Sequence, residues 1–162
     1  MASTPVDRLL SILERQQDTR TKIVRRKPGE GPPRRQPNQK SNADYTLQTL
    51  REARILLEAG WVHHEIAVDE SGNPVEADSP HAAAWCMSGA LQAASYKVGF
   101  PATKSATQRI ERAARLILTA NNIEQHSNEH VIAAVARMND DELSTKEGVL
   151  AAIDNAIAEL ER

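Results

Sequence analysis

Cys86 is the only cysteine in the 162-residue chain. It is also the residue with the most obvious chemistry. A thiol becomes a nucleophile when a helix N-terminus, a cation or an imidazole lowers its pKa. With His81 nearby in sequence and Asn139 available to orient a histidine, Cys86 completes a Cys–His–Asn set on paper, the outline of a Cys86-dependent hydrolase or transferase. The surrounding residues argue the other way. From His81 to Ala94, through Trp85-Cys86-Met87-Ser88-Gly89-Ala90-Leu91, there is almost no polar residue. A helix apolar on nearly every side is a buried one, and a buried cysteine behaves as a small apolar side chain. The expectation is a buried Cys86, with no residue assigned a catalytic role.

The two tryptophans, Trp61 and Trp85, suit either core filling or a stacking platform. Trp61, His63 and Glu65 share one face of an expected strand, and Asn139 and Asp140 offer further polar groups. Trp61, His63, Trp85, Asn139 and Asp140 are therefore the candidate ligand-binding residues, with a nucleotide-like or other small molecule, or a partner, as occupant. The plainer role of Asn139-Asp140 is to stop a helix. His126-Ser127-Asn128-Glu129-His130 matches the His-x-x-Glu-His zinc pattern. That chemistry needs both histidines on one helical face, and Ser127 or Asn128 reads as an N-cap between them. His63 and His64 are adjacent on the expected strand and point opposite ways. No metal and no cofactor is expected.

Charge divides the chain. Residues 1–42 hold 10 Lys/Arg and 4 Asp/Glu, leaving 10 Lys/Arg and 18 Asp/Glu in residues 43–162. Arg25, Arg26, Lys27, Arg34 and Arg35 are the candidate nucleic-acid contacts, giving salt-dependent, sequence-blind affinity. The alternatives are a solvated tether, or an arm that meets an acidic partner such as its own domain or a second copy. Val6, Leu9, Leu10 and Leu13 fall at helical spacing. They predict a short amphipathic helix for self-association or a protein partner, too short to be stable alone. Arg25 to Asn42, rich in proline and arginine, reads as a flexible linker.

The elements that must position these residues lie in 43–162, the expected globular domain. Helices are expected from about Asp44 to Ala59 with inner residues Leu47, Leu50, Ala53 and Leu57; from Ser79-Pro80 to Gly99; from Ser105 with inner Ile110, Ala113, Ala114 and Ile117; from Asn128 to Met138; and from the Ser144-Thr145-Lys146-Glu147 capping box to the end. Gly60 is expected to close the first in a left-handed conformation. Asn121-Asn122 and Asn139-Asp140-Asp141 are expected to end the third and fourth. Trp61 to Val68 predicts a strand, the Asp69–Pro74 segment a turn, and Val75 a return strand. The product is a mainly α fold, a bundle of about five helices with a small β-hairpin, preceded by a basic arm. No apolar run reaches the roughly 18 residues of a membrane span. The N-terminus lacks a basic segment followed by an apolar one, which predicts a cytoplasmic protein.

Gly60-Trp61, Trp85-Cys86-Met87-Ser88-Gly89-Ala90 and Asn139-Asp140 occur in an order that resembles an uncharacterised family of small proteins from actinobacteria and their phages. The shared pattern is Gly-Trp, Trp-Cys-x-x-Gly-Ala and Asn-Asp, over roughly residues 44–160. The resemblance implies a phage or mobile-element setting and no particular reaction. Together these readings predict a non-enzymatic binding or regulatory accessory protein.

Overall fold

Ser41 opens the first helix by reciprocal capping: its Oγ accepts from the Asp44 N–H at 3.1 Å, and Asp44 Oδ2 accepts from the Ser41 N–H at 2.7 Å. The computed structural model describes residues 41–99, 106–143 and 145–162. Helix α1 is Asn42–Ala59. Three short strands follow, β1 (Ala67–Val68), β2 (Pro74–Val75) and β3 (Ala84–Trp85). Then come α2 (Met87–Val98), α3 (Ala106–Ala120) and α4 (Val131–Arg137). Helix α4 runs into a π-helical turn, Met138–Glu142, and α5 is Lys146–Glu161. Among the described residues the fold is mainly α, five helices with one small antiparallel sheet. The expected helix around Val6, Leu9, Leu10 and Leu13, and the cations Arg25, Arg26, Lys27, Arg34 and Arg35, lie outside the described residues. No helix among those described is long and apolar enough to cross a membrane.

Periodicity places most of the core. Leu50, Ala53 and Leu57 of α1 are fully buried, while Leu47 is only half-buried. Thr46 and Thr49 are buried beside them because their hydroxyls donate back to Asn42 O and Tyr45 O. Ile110, Ala113, Ala114 and Ile117 of α3 are sealed, as expected. Val131, Ile132 and Val135 of α4 and Val149, Ile153 and Ala156 of α5 join the same cluster. Asn121-Asn122 ends α3: Asn122 takes φ +54°, and Asn121 Nδ2 donates to Ile117 O and to Ala152 O on α5.

The sheet corrects two expectations. Strand β1 is central and pairs antiparallel with both β2 and β3, Ala67 facing Val75 on one side and Trp85 on the other. The hairpin is present, but the third strand comes out of the helix expected from Ser79-Pro80 to Gly99. Ser79-Pro80 does not open that helix; it begins at Met87, with Cys86 as N-cap. An apolar run carries no period to separate strand from helix. Here pairing of Ala84–Trp85 with β1 decides. The expected strand from Trp61 shrinks to Ala67–Val68. His64 adopts φ +61°, which breaks an extended run, and Trp61 keeps a single parallel bridge to Trp85. Trp61, His63 and Glu65 therefore share no strand face.

Helix ends supply further corrections. Gly60 is extended (φ −161°), not left-handed. It is needed for close approach, since a Cβ there would sit 2.2 Å from Ala83 O. Helix α4 starts at Val131 rather than Asn128, with His130 as N-cap accepting from the Ile132 N–H at 3.3 Å. Asn128 is in a turn at φ +67°. Asn139-Asp140-Asp141 does not stop the helix; the chain widens there, with the Leu143 N–H donating to Met138 O at 3.0 Å. Thr145 caps α5 through Gly148 N–H. Ser105 and Ser144 lie outside the described residues.

Candidate functional site

The π-helical turn puts two neighbouring polar residues to work on the same loop. Successive side chains diverge less in this wider turn than in an α-helix, and such turns recur at functional sites. Asn139 is fully buried. Its Oδ1 accepts from the Trp61 indole N–H at 2.9 Å and from the Met87 N–H, the start of α2, at 3.1 Å. Its Nδ2 donates to Val62 O and to Asp140 Oδ1. Asp140 Oδ1 also accepts from the His64 N–H at 3.0 Å. This last bond supports the left-handed conformation at His64, which is uncommon outside glycine.

Two imidazoles lie beside the carboxylate, and the Trp61 ring packs on one of them. His64 Nδ1 lies 3.4 Å from Asp140 Oδ2. The His63 ring packs on Trp61 with centroids 4.3 Å apart and planes tilted by 60°. His63 Nδ1 is 3.9 Å from Asp140 Oδ1, too long for a hydrogen bond. That nitrogen is sealed from solvent and has no hydrogen-bond partner. The side chains of His63, His64 and Asp140 are 33%, 75% and 22% exposed, and Trp61 is half-buried. The group is a corner with a buried polar floor and an accessible rim.

Cys86 lies beneath this corner. Its Sγ accepts from the Gly89 N–H at 3.4 Å and is 3.1 Å from Ser88 Oγ. Burial pushes the thiol pKa up, outweighing the Ser88 and Gly89 hydrogen bonds that favour the thiolate. The helix N-terminus thus uses the thiol as a cap. The Cys–His–Asn set does not assemble. His81 lines an open cleft of about 480 Å³ with Asp69, Glu70, Ser71 and Pro80, and Asn139 is committed to Trp61 and Met87.

The remaining candidates divide between support and rim. Trp85 is 9% exposed and its indole N–H donates to Ala77 O at 2.8 Å. It is packed in the core, as Asn139 is in the polar floor, while Trp61, His63 and Asp140 stand at the rim. His126 and His130 share no helical face; His130 Nδ1 caps α4 and its Nε2 is 3.3 Å from Glu111 Oε1. Among the described residues no group of three His, Cys, Asp or Glu side chains could hold a metal ion.

Sequence reasoning missed His64. The strand expectation pointed it away from the others, and nothing in Trp61-Val62-His63-His64 announces a left-handed residue. The doubled histidine followed later by Asn139-Asp140 was the available signal, legible only if the two segments were known to meet.

No curated protein and no solved structure matches the chain. A family model does, over residues 42–159, which takes in α1, the sheet and all the residues of the corner. The chain belongs to DUF6197, a family of unknown function.

Proposed function

We propose that this is a non-enzymatic binding protein of a regulatory or accessory kind, whose ligand-contact surface is the corner formed by Trp61, His63, His64 and Asp140. The observation that carries the reading is His63 Nδ1, sealed from water with no hydrogen bond, 3.9 Å from Asp140 Oδ1. An unmet buried polar atom costs on the order of 1–3 kcal/mol. Costs of this kind gather at sites that bind or switch, as do left-handed non-glycine residues such as His64. Trp85 and Asn139 support this surface from below. The buried, protonated thiol of Cys86 argues against the hydrolase or transferase alternative.

A cytoplasmic setting fits a chain whose one cysteine is free and buried; the phage or mobile-element setting rests on the resemblance in sequence pattern. The basic segment with Arg25, Arg26, Lys27, Arg34 and Arg35 supplies a second contact, for nucleic acid, a protein partner or another copy of the chain.

Proton–nitrogen NMR of the full chain tests the site. The Trp61 indole and His64 amide signals are followed against a panel of amino acids, amines and nucleotides. At least one compound is expected to move both while the Trp85 indole signal stays put. A panel that leaves them unmoved, or moves only the cleft beside His81, removes this reading.

A further inference from the structure

We infer that the group taken at this corner is a cation, an ammonium or guanidinium, and not the phosphate of a nucleotide. The inference rests on the reading of the corner as a binding site and names its ligand chemistry.

The sequence around Trp61, His63 and His64 holds no permanent positive charge. Between Arg54 and Lys97 there is no lysine or arginine, while Glu58, Glu65, Asp69, Glu70, Glu76 and Asp78 all fall in that stretch. On the opposite wall Asp140 is followed by Asp141 and Glu142. The two cations nearest in sequence to that wall are engaged elsewhere. Arg137 pairs with Glu129 and Glu142 and donates to Glu124 O, and Lys146 Nζ donates to Glu58 O.

Asp140 is a half-buried carboxylate at the rim whose neighbours are neutral donors and two imidazoles. Its Oδ1 already accepts from the His64 N–H and from Asn139 Nδ2, whereas Oδ2 has only the exposed His64 ring, Nδ1 at 3.4 Å, beside it and keeps a lone pair for a ligand. A partly desolvated carboxylate gains from an added opposite charge and repels an added like one. The indole of Trp61, tilted against His63 and tied to Asp140 through the Asn139 amide, supplies the second half of the chemistry, because tryptophan is the aromatic ring that attracts cations most strongly. A carboxylate beside an indole suits an ammonium or a guanidinium. A phosphate would face Asp140 without a counter-charge.

The same chemistry has two sources, a free amine or guanidine and a basic peptide segment. One such segment belongs to this chain, with Arg25, Arg26, Lys27, Arg34 and Arg35. The experiment uses the full chain at constant ionic strength, with arginine ethyl ester, tetramethylammonium and metal-free ADP as probes. The Trp61 indole and His64 amide signals are the readout. The ester is expected to shift both saturably. Asp140→Asn is expected to weaken that binding by about tenfold or more, because its amide oxygen keeps the His64 and Asn139 hydrogen bonds while the charge is gone. If the chain's own segment is the occupant, R25A/R26A/K27A/R34A/R35A by itself moves the two signals and strengthens ester binding; this also supports the inference. Saturable binding of ADP at Trp61 with both cations silent overturns the cation assignment and leaves the binding site standing. Silence of every probe, with no effect of the five substitutions, overturns both. Ester binding equal in Asp140→Asn and the unmodified chain overturns the role given to the carboxylate and with it the inference.

Discussion

Asn139 and Trp61, 78 positions apart in the chain, meet through a 2.9 Å hydrogen bond from the indole N–H to the amide oxygen. The same oxygen caps the start of α2 through the Met87 N–H. One buried amide thus joins the π-helical turn, the loop after α1 and the central helix. Asn139→Ala would strand two donors and the Val62 carbonyl. A loss of about 2–4 kcal/mol in urea unfolding is expected, since each buried unpaired group carries a penalty of its own. A loss below about 1 kcal/mol would mean that water replaces the amide and that the tie is weak.

Gly89 lies in the first turn behind this capped end. A Cβ there would sit 2.0 Å from Ile66 O, the backbone oxygen that also accepts from the Cys86 N–H. Within a helix alanine is normally better than glycine by up to about 1 kcal/mol. Here overpacking against a fixed carbonyl reverses the sign. Gly89→Ala is expected to destabilise by about 2 kcal/mol or more in a thermal or urea melt. An unchanged or raised midpoint would show that the Ile66 loop can move away.

Cys86 should be chemically silent in the folded protein. Native chain at pH 7 is expected to resist iodoacetamide and to label fully in denaturant. Burial raises the folded thiol pKa above its unfolded value, so the unfolded chain loses this proton first as pH rises. The contribution of Cys86 to stability is then complete below the unfolded thiol pKa and is lost as pH climbs toward the folded one. Urea midpoints measured from pH 7 to pH 10 should fall more steeply for the unmodified chain than for Cys86→Ser, which keeps an N-cap without this ionisation. Parallel slopes, or rapid native alkylation, would contradict a sealed thiol.

How much of this was legible in sequence depended on range. The stripe Ile110, Ala113, Ala114 and Ile117 is a local pattern, and all four are fully buried. The turn around Gly72 was equally local, and Gly72 takes φ +81°. Ala84-Trp85 carries no such pattern, because residues apolar on every side fit a strand or a helix equally well, and pairing with Ala67 and Val68 selects the strand. Asn139-Asp140 looked like a breaker because their partners, Trp61, Val62 and His64, are distant in sequence. Polar residues were thus recognised as important, but their use as a buried junction required knowledge of which loop they would meet.

The junction has an outer brace that should respond to acid. Arg137, the last residue of α4 before the π-helical turn, binds both oxygens of Glu129, with Nε to Oε1 at 3.1 Å and Nη2 to Oε2 at 3.4 Å. Glu129 Oε2 also accepts from the His126 N–H at 3.0 Å. Burial alone would raise the Glu129 carboxyl pKa; the Arg137 and His126 interactions together outweigh it and hold the group below its usual value. The folded chain therefore binds this proton less readily than the unfolded one. The resulting stability is complete above the unfolded carboxyl pKa, about 4.3, and disappears as pH falls through the lower folded value. Glu129→Gln removes the titration and one charge-assisted pair. It is expected to cost about 1–2 kcal/mol at pH 7, the range for hydrogen bonds to a charged group that is only partly screened, and progressively less as the medium is acidified below pH 4. Urea unfolding of both proteins between pH 7 and pH 2 measures the difference. A gap that stays constant across that range would show that Glu129 contributes packing and not charge. The same substitution should also move the His64 amide signal, because Arg137 leads directly into the turn whose Asp140 accepts from that N–H.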